Sequence, residues 1–280
     1  MAFDLYPLLR AEDWLDRAEG HAIYRETRAQ ELVEILWSHP SSPWYDKINM
    51  LGETKTPWVS QSAWIKSLTA TMVKAWDARG SSGGGLFGSR MKASEEVLGW
   101  SRAQQAAFLI YCWEQFRLAV KDQTSEWAST LRVSAGDKLA RAGAMDPAFY
   151  GVHTLINSDQ GVRGFLSVLN DIMYARAVHL QLDKWNPSEE SHSQSIDGVT
   201  DALGGVPDQP FAGFVSGLVK SLASFDWRTS SFPKLDEMVR RQKLVFRGSS
   251  GYKELRFQLL EHLAKGDDEI APIAATVRQG

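Results

Sequence analysis

The sequence predicts an all-α fold, a multi-helix orthogonal bundle around two buried central helices at about 102–122 and 159–185, and three observations carry that reading. From Val162, the residues Phe165, Leu166, Leu169, Ile172, Met173, Ala177 and Leu180 follow at the three-and-four spacing of one helical face. The stretch from Arg102 to about Asp122 is apolar almost all round in its first half, which suits a helix in the middle of its domain. No run alternates at period two, so a sheet is not expected to organise the chain.

The elements follow in order. Residues 11–38 read as an amphipathic helix through Ile23, Ala29, Leu32, Val33 and Leu36, stopping before His39-Pro40. Pro43, Gly52 and Pro57 mark an irregular connection, after which Ser60 or Ser62 caps a helix through Trp64, Leu68 and Met72 to Trp76, ending at Arg79-Gly80. The glycine-rich stretch to Ser89 lacks a closing Gly-Lys-Ser/Thr and a preceding strand, so a mobile surface loop is expected in place of a phosphate cradle. A short helix near Ser94 to Trp100 precedes Ser101, which caps the first central helix; shorter helices are expected at 125–133 and 135–142. Asp146-Pro147 places a proline in the tolerated first position of another.

In the second central helix Ser158 or Asp159 is the cap. At 100° per residue Arg163, Ser167, Asn170, Asp171 and Tyr174 form a polar stripe opposite the apolar face, Arg176 projects among apolar residues, where it needs an ion pair, and His179 falls on the buried side. Arg163 with the first-turn N–H groups would make an anion site, although the Asp159 carboxylate competes for the same donors.

Residues 1–185 read as the main helical domain, 186–210 as an acidic Pro/Gly/Ser linker, and 211–280 as a C-terminal helical lobe packed on the first. That lobe contains helices at 211–225 and 252–264 and a frayed tail beyond Gly266. The apolar fraction of 44% is that of an ordinary globular chain, and a net charge of −3 gives no global attraction to nucleic acid. Cys112 is the only cysteine, which excludes an intramolecular disulfide and a multi-cysteine metal site. Eleven scattered tryptophans read as anchors at successive helix contacts. The N-terminus lacks the basic flank and apolar run of a secretory signal, so a cytoplasmic location is expected.

Charge concentrates locally. From Arg228 to Arg256 eight bases stand against three acids. Arg240, Arg241, Lys243, Arg247 and Lys253 are interleaved with Phe246 and Tyr252, and Gly248-Ser249-Ser250-Gly251 leads into a helix N-terminus. Cations, hydroxyls, free N–H groups and rings in one segment suit a phosphate of a nucleic acid or nucleotide. The six histidines never pair at metal-ligand spacing, and no metal or cofactor is expected. The leading functional reading is a non-enzymatic helical subunit of a larger assembly that binds protein partners and, through this basic segment, RNA or DNA. Self-association is compatible with it, and a pure protein scaffold without nucleic-acid contact is one alternative.

Arg256 and His262, five residues apart in a helical chain, supply the other. Their spacing resembles the Arg-x4–6-His signature of HEPN-type ribonucleases over seven residues, with Phe257 where that family usually has a polar residue. The resemblance implies an all-helical dimer and metal-independent RNA cleavage, with Arg256 and His262 at the dimer cleft.

Overall fold

Local chemistry starts the first central helix. Ser101 Oγ accepts from the backbone N–H of Gln104 at 3.2 Å, and Gln104 Oε1 accepts from the N–H of Ser101 at 2.9 Å, a reciprocal capping box. The computed structural model describes residues 18–53, 56–76, 83–88, 98–135, 145–186, 196–248 and 250–279. Within them run α1 (Ala18–Ser38), α2 (Gln61–Ala70), α3 (Arg102–Lys121), α4 (Glu126–Ala135), α5 (Pro147–Tyr150) and α6 (Asp159–Ala175). After a 3-10 turn at Leu182–Lys184 come α7 (Ile196–Gly205), α8 (Ala212–Ala223), α9 (Glu237–Leu244), α10 (Gly251–Ala264) and α11 (Ala271–Gln279). The arrangement is an all-helical orthogonal bundle, with no strand among the described residues.

Two helices gather the others. α3 is packed by α1, α5, α7 and α8, while α6 is packed by α2, α10 and α11. The two centres meet through rings: Phe165 of α6 lies 4.1 Å from Trp113 and is stacked at 4.7 Å on Phe116, both of α3. Trp44 and Trp64 extend this cluster from Trp113, and Trp227 closes it beside Phe116. A second ring cluster joins Trp100, Phe108, Trp185 and Phe211. Truncating such a ring to alanine typically costs about 3–5 kcal/mol, so the scattered tryptophans are the pins of the bundle. Cys112 is buried among them, and burial pushes its thiol well above the usual range. Among the described residues no helix is long and apolar enough to cross a membrane.

Five elements differ from the sequence-based expectation. α6 ends at Ala175 and does not continue to Trp185, because the following carbonyls have tertiary donors: Trp100 Nε1 donates to Leu182 O at 2.8 Å and Gln104 Nε2 to Trp185 O at 2.9 Å. Arg176 is consequently the C-cap of α6, and His179 is exposed, not buried. α2 stops at Ala70, since Ser67, Thr69 and Thr71 each turn a hydroxyl back onto a carbonyl four residues earlier, which competes with the helical ladder.

The Gly83–Gly88 part of the expected surface loop is a packed ribbon, with Leu86 and Phe87 buried. Gly85 donates to Lys74 O at 2.8 Å and Phe87 to Met72 O at 2.8 Å, and a Cβ on Gly85 would sit 2.1 Å from Met72 O. Only glycine permits that approach. The chain beyond Gly266 is not frayed: Ile270, Ala271 and Ala274 are buried as α11 packs on α10 and α6. Part of the acidic linker is α7, whose Val199 is buried against α3. The helices expected near 94–100 and 135–142 lie largely outside the described residues, as do residues 187–195.

Candidate functional site

The polar stripe of α6 and the first turns of α10 face one another. Gly164 lets the two helices approach, because a Cβ there would lie 2.9 Å from Leu255 Cδ2. Beside that contact opens a cavity of about 570 Å³. Arg163, Ser167, Asn170, Asp171 and Tyr174 line it from α6, Tyr252, Lys253 and Arg256 from α10, and Val277 from α11. Thr71, Lys74 and the Gly83-Gly84 backbone close the remaining side. Its volume falls within the roughly 300–1,000 Å³ typical of pockets that enclose a small ligand.

Four cations and one carboxylate line this cavity among the described residues. Arg256 Nε donates to Asp171 Oδ2 at 2.6 Å, which neutralises one cation. Lys74 Nζ donates to Gly83 O at 3.2 Å. The Arg163 guanidinium lies 3.6 Å above the Tyr252 ring and has neither a hydrogen-bond acceptor nor a carboxylate among the described residues. Lys253 is exposed and equally unpaired. The ring holds Arg163 by cation–π attraction while its planar fork of donors stays open.

The cavity walls are fixed from within. Asn170 is 5% exposed; its Oδ1 accepts from Leu86 N at 2.9 Å and its Nδ2 donates to Gly84 O at 3.3 Å, so α6 holds the glycine ribbon. Tyr174 packs on Trp76 with ring centroids 4.6 Å apart. The first turn of α6 does not line the cavity, and its Gly161 N–H is already taken by Ser158 Oγ at 3.1 Å. Burial pushes the Asp159 carboxyl above its usual range, against the pull of its own backbone and Lys66.

The basic segment divides into cations that turn inward and cations that stay outside. Arg240 does not face a partner surface: its guanidinium donates to Ser230 O at 2.9 Å and to Phe232 O at 3.2 Å, tying down the turn before α9. Lys243 is 6% exposed, donates to Asp226 O at 2.6 Å and stands 3.5 Å from Asp226 Oδ1. Burial would raise the Asp226 carboxyl, but hydrogen bonds from Arg228 and the charge of Lys243 outweigh it and hold the group below the usual carboxylate range. For Lys243 burial dominates and lowers its ammonium. Lys243 also lies between rings, 5.6 Å and 5.9 Å from the centroids of Phe225 and Phe246, whereas Arg240 is held by backbone carbonyls.

Arg241 reaches Glu237 at 3.2 Å in the open, and Arg247 Nε donates to Ser230 Oγ at 2.8 Å while remaining exposed. Ser250 is exposed at the start of α10 and makes no side-chain cap; Ser249 lies outside the described residues. Lys253 and Arg256 are thus the residues of the segment that reach the cavity. Lys74, Thr71 and Val277 were missed by sequence reasoning, since they meet α6 only through the tertiary fold.

Arg256 and His262 turn to different neighbours. Arg256 is bound to Asp171 of α6, whereas His262 Nε2 lies 2.8 Å from Ser224 Oγ and 3.2 Å from Ser221 O at the end of α8. Since Ser224 Oγ donates to Ser221 O at 2.7 Å, the imidazole N–H serves as the donor to both oxygens and braces the α8 terminus. Among the described residues no three His, Cys, Asp or Glu side chains gather in metal-holding geometry.

A second cavity, about 580 Å³, opens between the 40–47 segment and α3. Arg117 forks onto Glu114 at 2.7 and 2.6 Å there, and Lys47 Nζ donates to the Tyr45 carbonyl at 3.1 Å. Comparison with protein-family models, with curated proteins and with solved structures finds no match to this chain.

Proposed function

We propose that the chain is a non-enzymatic helical subunit of a larger assembly, and that it engages nucleic acid where its basic C-terminal segment meets the polar stripe of α6. The observation that carries this reading is Arg163, held over the Tyr252 ring with no acceptor among the described residues, in a cavity that also contains Lys74, Lys253 and Arg256. Cations left without acceptors at a concave surface favour an anionic ligand, and a strand supplies phosphates together with bases that stack on exposed rings. Arg241 and Arg247, exposed beyond the cavity, extend the positive surface for further phosphates. The protein-contact half of the reading draws on α9 and its C-cap, where Met238, Leu244 and Val245 are 71%, 44% and 47% exposed.

Binding of short single-stranded RNA and DNA, followed by fluorescence anisotropy over a salt series, tests the reading. The expected result is an affinity that falls linearly on a log–log salt plot, with a shallower slope in Arg163→Gln and Lys253→Gln. Binding that neither salt nor these substitutions alter would remove the cavity as the point of contact. An absence of binding to any strand would leave the chain as a protein scaffold.

A further inference from the structure

The geometry points to a narrower ligand: we infer that the cavity receives a terminal phosphate monoester of a single strand, with Arg163 and Lys253 as its two direct partners. This rests on the nucleic-acid reading above and adds to it which part of the strand is held.

Charge favours an end over the middle of a strand. An internal diester carries one negative charge, whereas a monoester carries about −1.5 to −2 at neutral pH and three acceptor oxygens. Arg256 is already matched by Asp171, so the cations left to answer a ligand include Arg163 and Lys253, two charges unpaired among the described residues and suited to a dianion. The guanidinium presents parallel N–H groups to two oxygens at once, a match that a planar fork makes and an ammonium does not. Contact with the Tyr252 ring positions that guanidinium before any ligand arrives, which reduces the ordering cost of binding.

The walls also matter. α6, α10, Val277 and the Gly83-Gly84 ribbon line a half-open space of about 570 Å³, within the range of a pocket for one small ligand. The ribbon is held at Leu86 and Gly84 by the buried Asn170, so that wall is part of the fold. Tyr174, packed on Trp76 and 40% exposed, offers a ring surface at the rim for the base attached to the held phosphate.

The test compares the full chain on one single-stranded sequence bearing a 5′-phosphate, a 3′-phosphate or hydroxyls at both ends, at fixed salt. One phosphorylated form is expected to bind at least about tenfold tighter than the hydroxyl form, the gain of one charge-assisted contact pair, and which form does so identifies the end that is read. Inorganic phosphate should compete for that gain alone. Arg163→Gln should reduce the preference to about twofold or less, and Lys253→Gln, an exposed position without packing partners, should do the same with no risk to folding. Equal affinity for all three strands would overturn the terminal-phosphate inference while leaving the nucleic-acid reading intact; failure of all three to bind would overturn both.

Discussion

Two cavities of nearly equal size, about 570 and 580 Å³, occupy different sides of this bundle and differ in what their charges are doing. In the one beside α3, Arg117 and Glu114 satisfy each other in a fork and Lys47 is bonded to a carbonyl. Its one carboxylate among the described residues is matched by an arginine, and its lysine is bonded to a backbone oxygen. In the one beside α6, an arginine is positioned by an aromatic ring and has no acceptor among the described residues, and a lysine lining the same cavity has none there either. Volume is therefore a poor guide to function in this molecule. What separates the cavities is polar capacity that folding positions but does not use.

The largest expected effect breaks or sustains that contrast directly. Replacing Arg163 and Lys253 together with glutamine should weaken strand binding by about a hundredfold, two charge-assisted contacts at roughly tenfold each. The Lys47→Gln variant, which removes a cation from the other cavity, should stay within about twofold of the parent, because long-range attraction from one exposed charge is largely screened. Equal losses in the two variants would mean that binding follows net charge and not the α6 cavity. Anisotropy titrations at a single ionic strength decide between them.

How much of this was legible in the sequence follows the range of the forces involved. The stripe of Arg163, Ser167, Asn170, Asp171 and Tyr174 is a property of one helix, and helical periodicity alone put all five side chains on the face that now lines the cavity. Lys253 and Arg256 were visible as members of a basic run. Their meeting with α6 was not, because it depends on Gly164 admitting Leu255, a contact between residues remote in the chain. The same limit explains Arg240 and Lys243: a count of charges cannot tell a cation that faces solvent from one that ties down the 230–235 turn or lies between Phe225 and Phe246. The premature end of α6 was hidden for a similar reason, since the carbonyls of Leu182 and Trp185 beyond it are held by Trp100 and Gln104, remote in the chain.

Lys243 sharpens the comparison from the stability side, with the next largest effect. Lys243→Met keeps the stem packed on its two rings but leaves Asp226 with Arg228 as its remaining cationic partner. A loss of about 2 kcal/mol in urea unfolding is expected, below the full cost of stranding a buried charge because Arg228 stays. Strand affinity should not change, as this cation belongs to the fold. Acid titration adds a check: Asp226 is depressed, so its contribution is present above the usual carboxylate value of about 4 and is lost as pH falls through the folded-state value. In Asp226→Asn that acid limb should flatten.

The smallest expected effect concerns the two ends of α10, one at the cavity and one at the end of α8. Burial lowers the His262 imidazole below its usual value, the Ser221 carbonyl opposes this, and Lys265 adds to it. Asp268 stands close by but is engaged by Ser221 Oγ at 2.6 Å. The neutral ring is therefore the folded form, and its stabilising share is present above about pH 6.5 and lost as pH falls through the lower folded-state value. His39, 1% exposed and lowered by burial with a partial offset from the Ile196 backbone, titrates with the same sign, so the wild-type slope is a sum of the two. His262→Gln should remove part of the stability change between about pH 7 and pH 5 and leave His39's part in place. It should also leave strand affinity at neutral pH unchanged, because the side chain braces α8 from the far end of α10. If His262→Gln instead abolished binding, the two ends of α10 would be coupled, and the division between a bracing end and a binding end would fail.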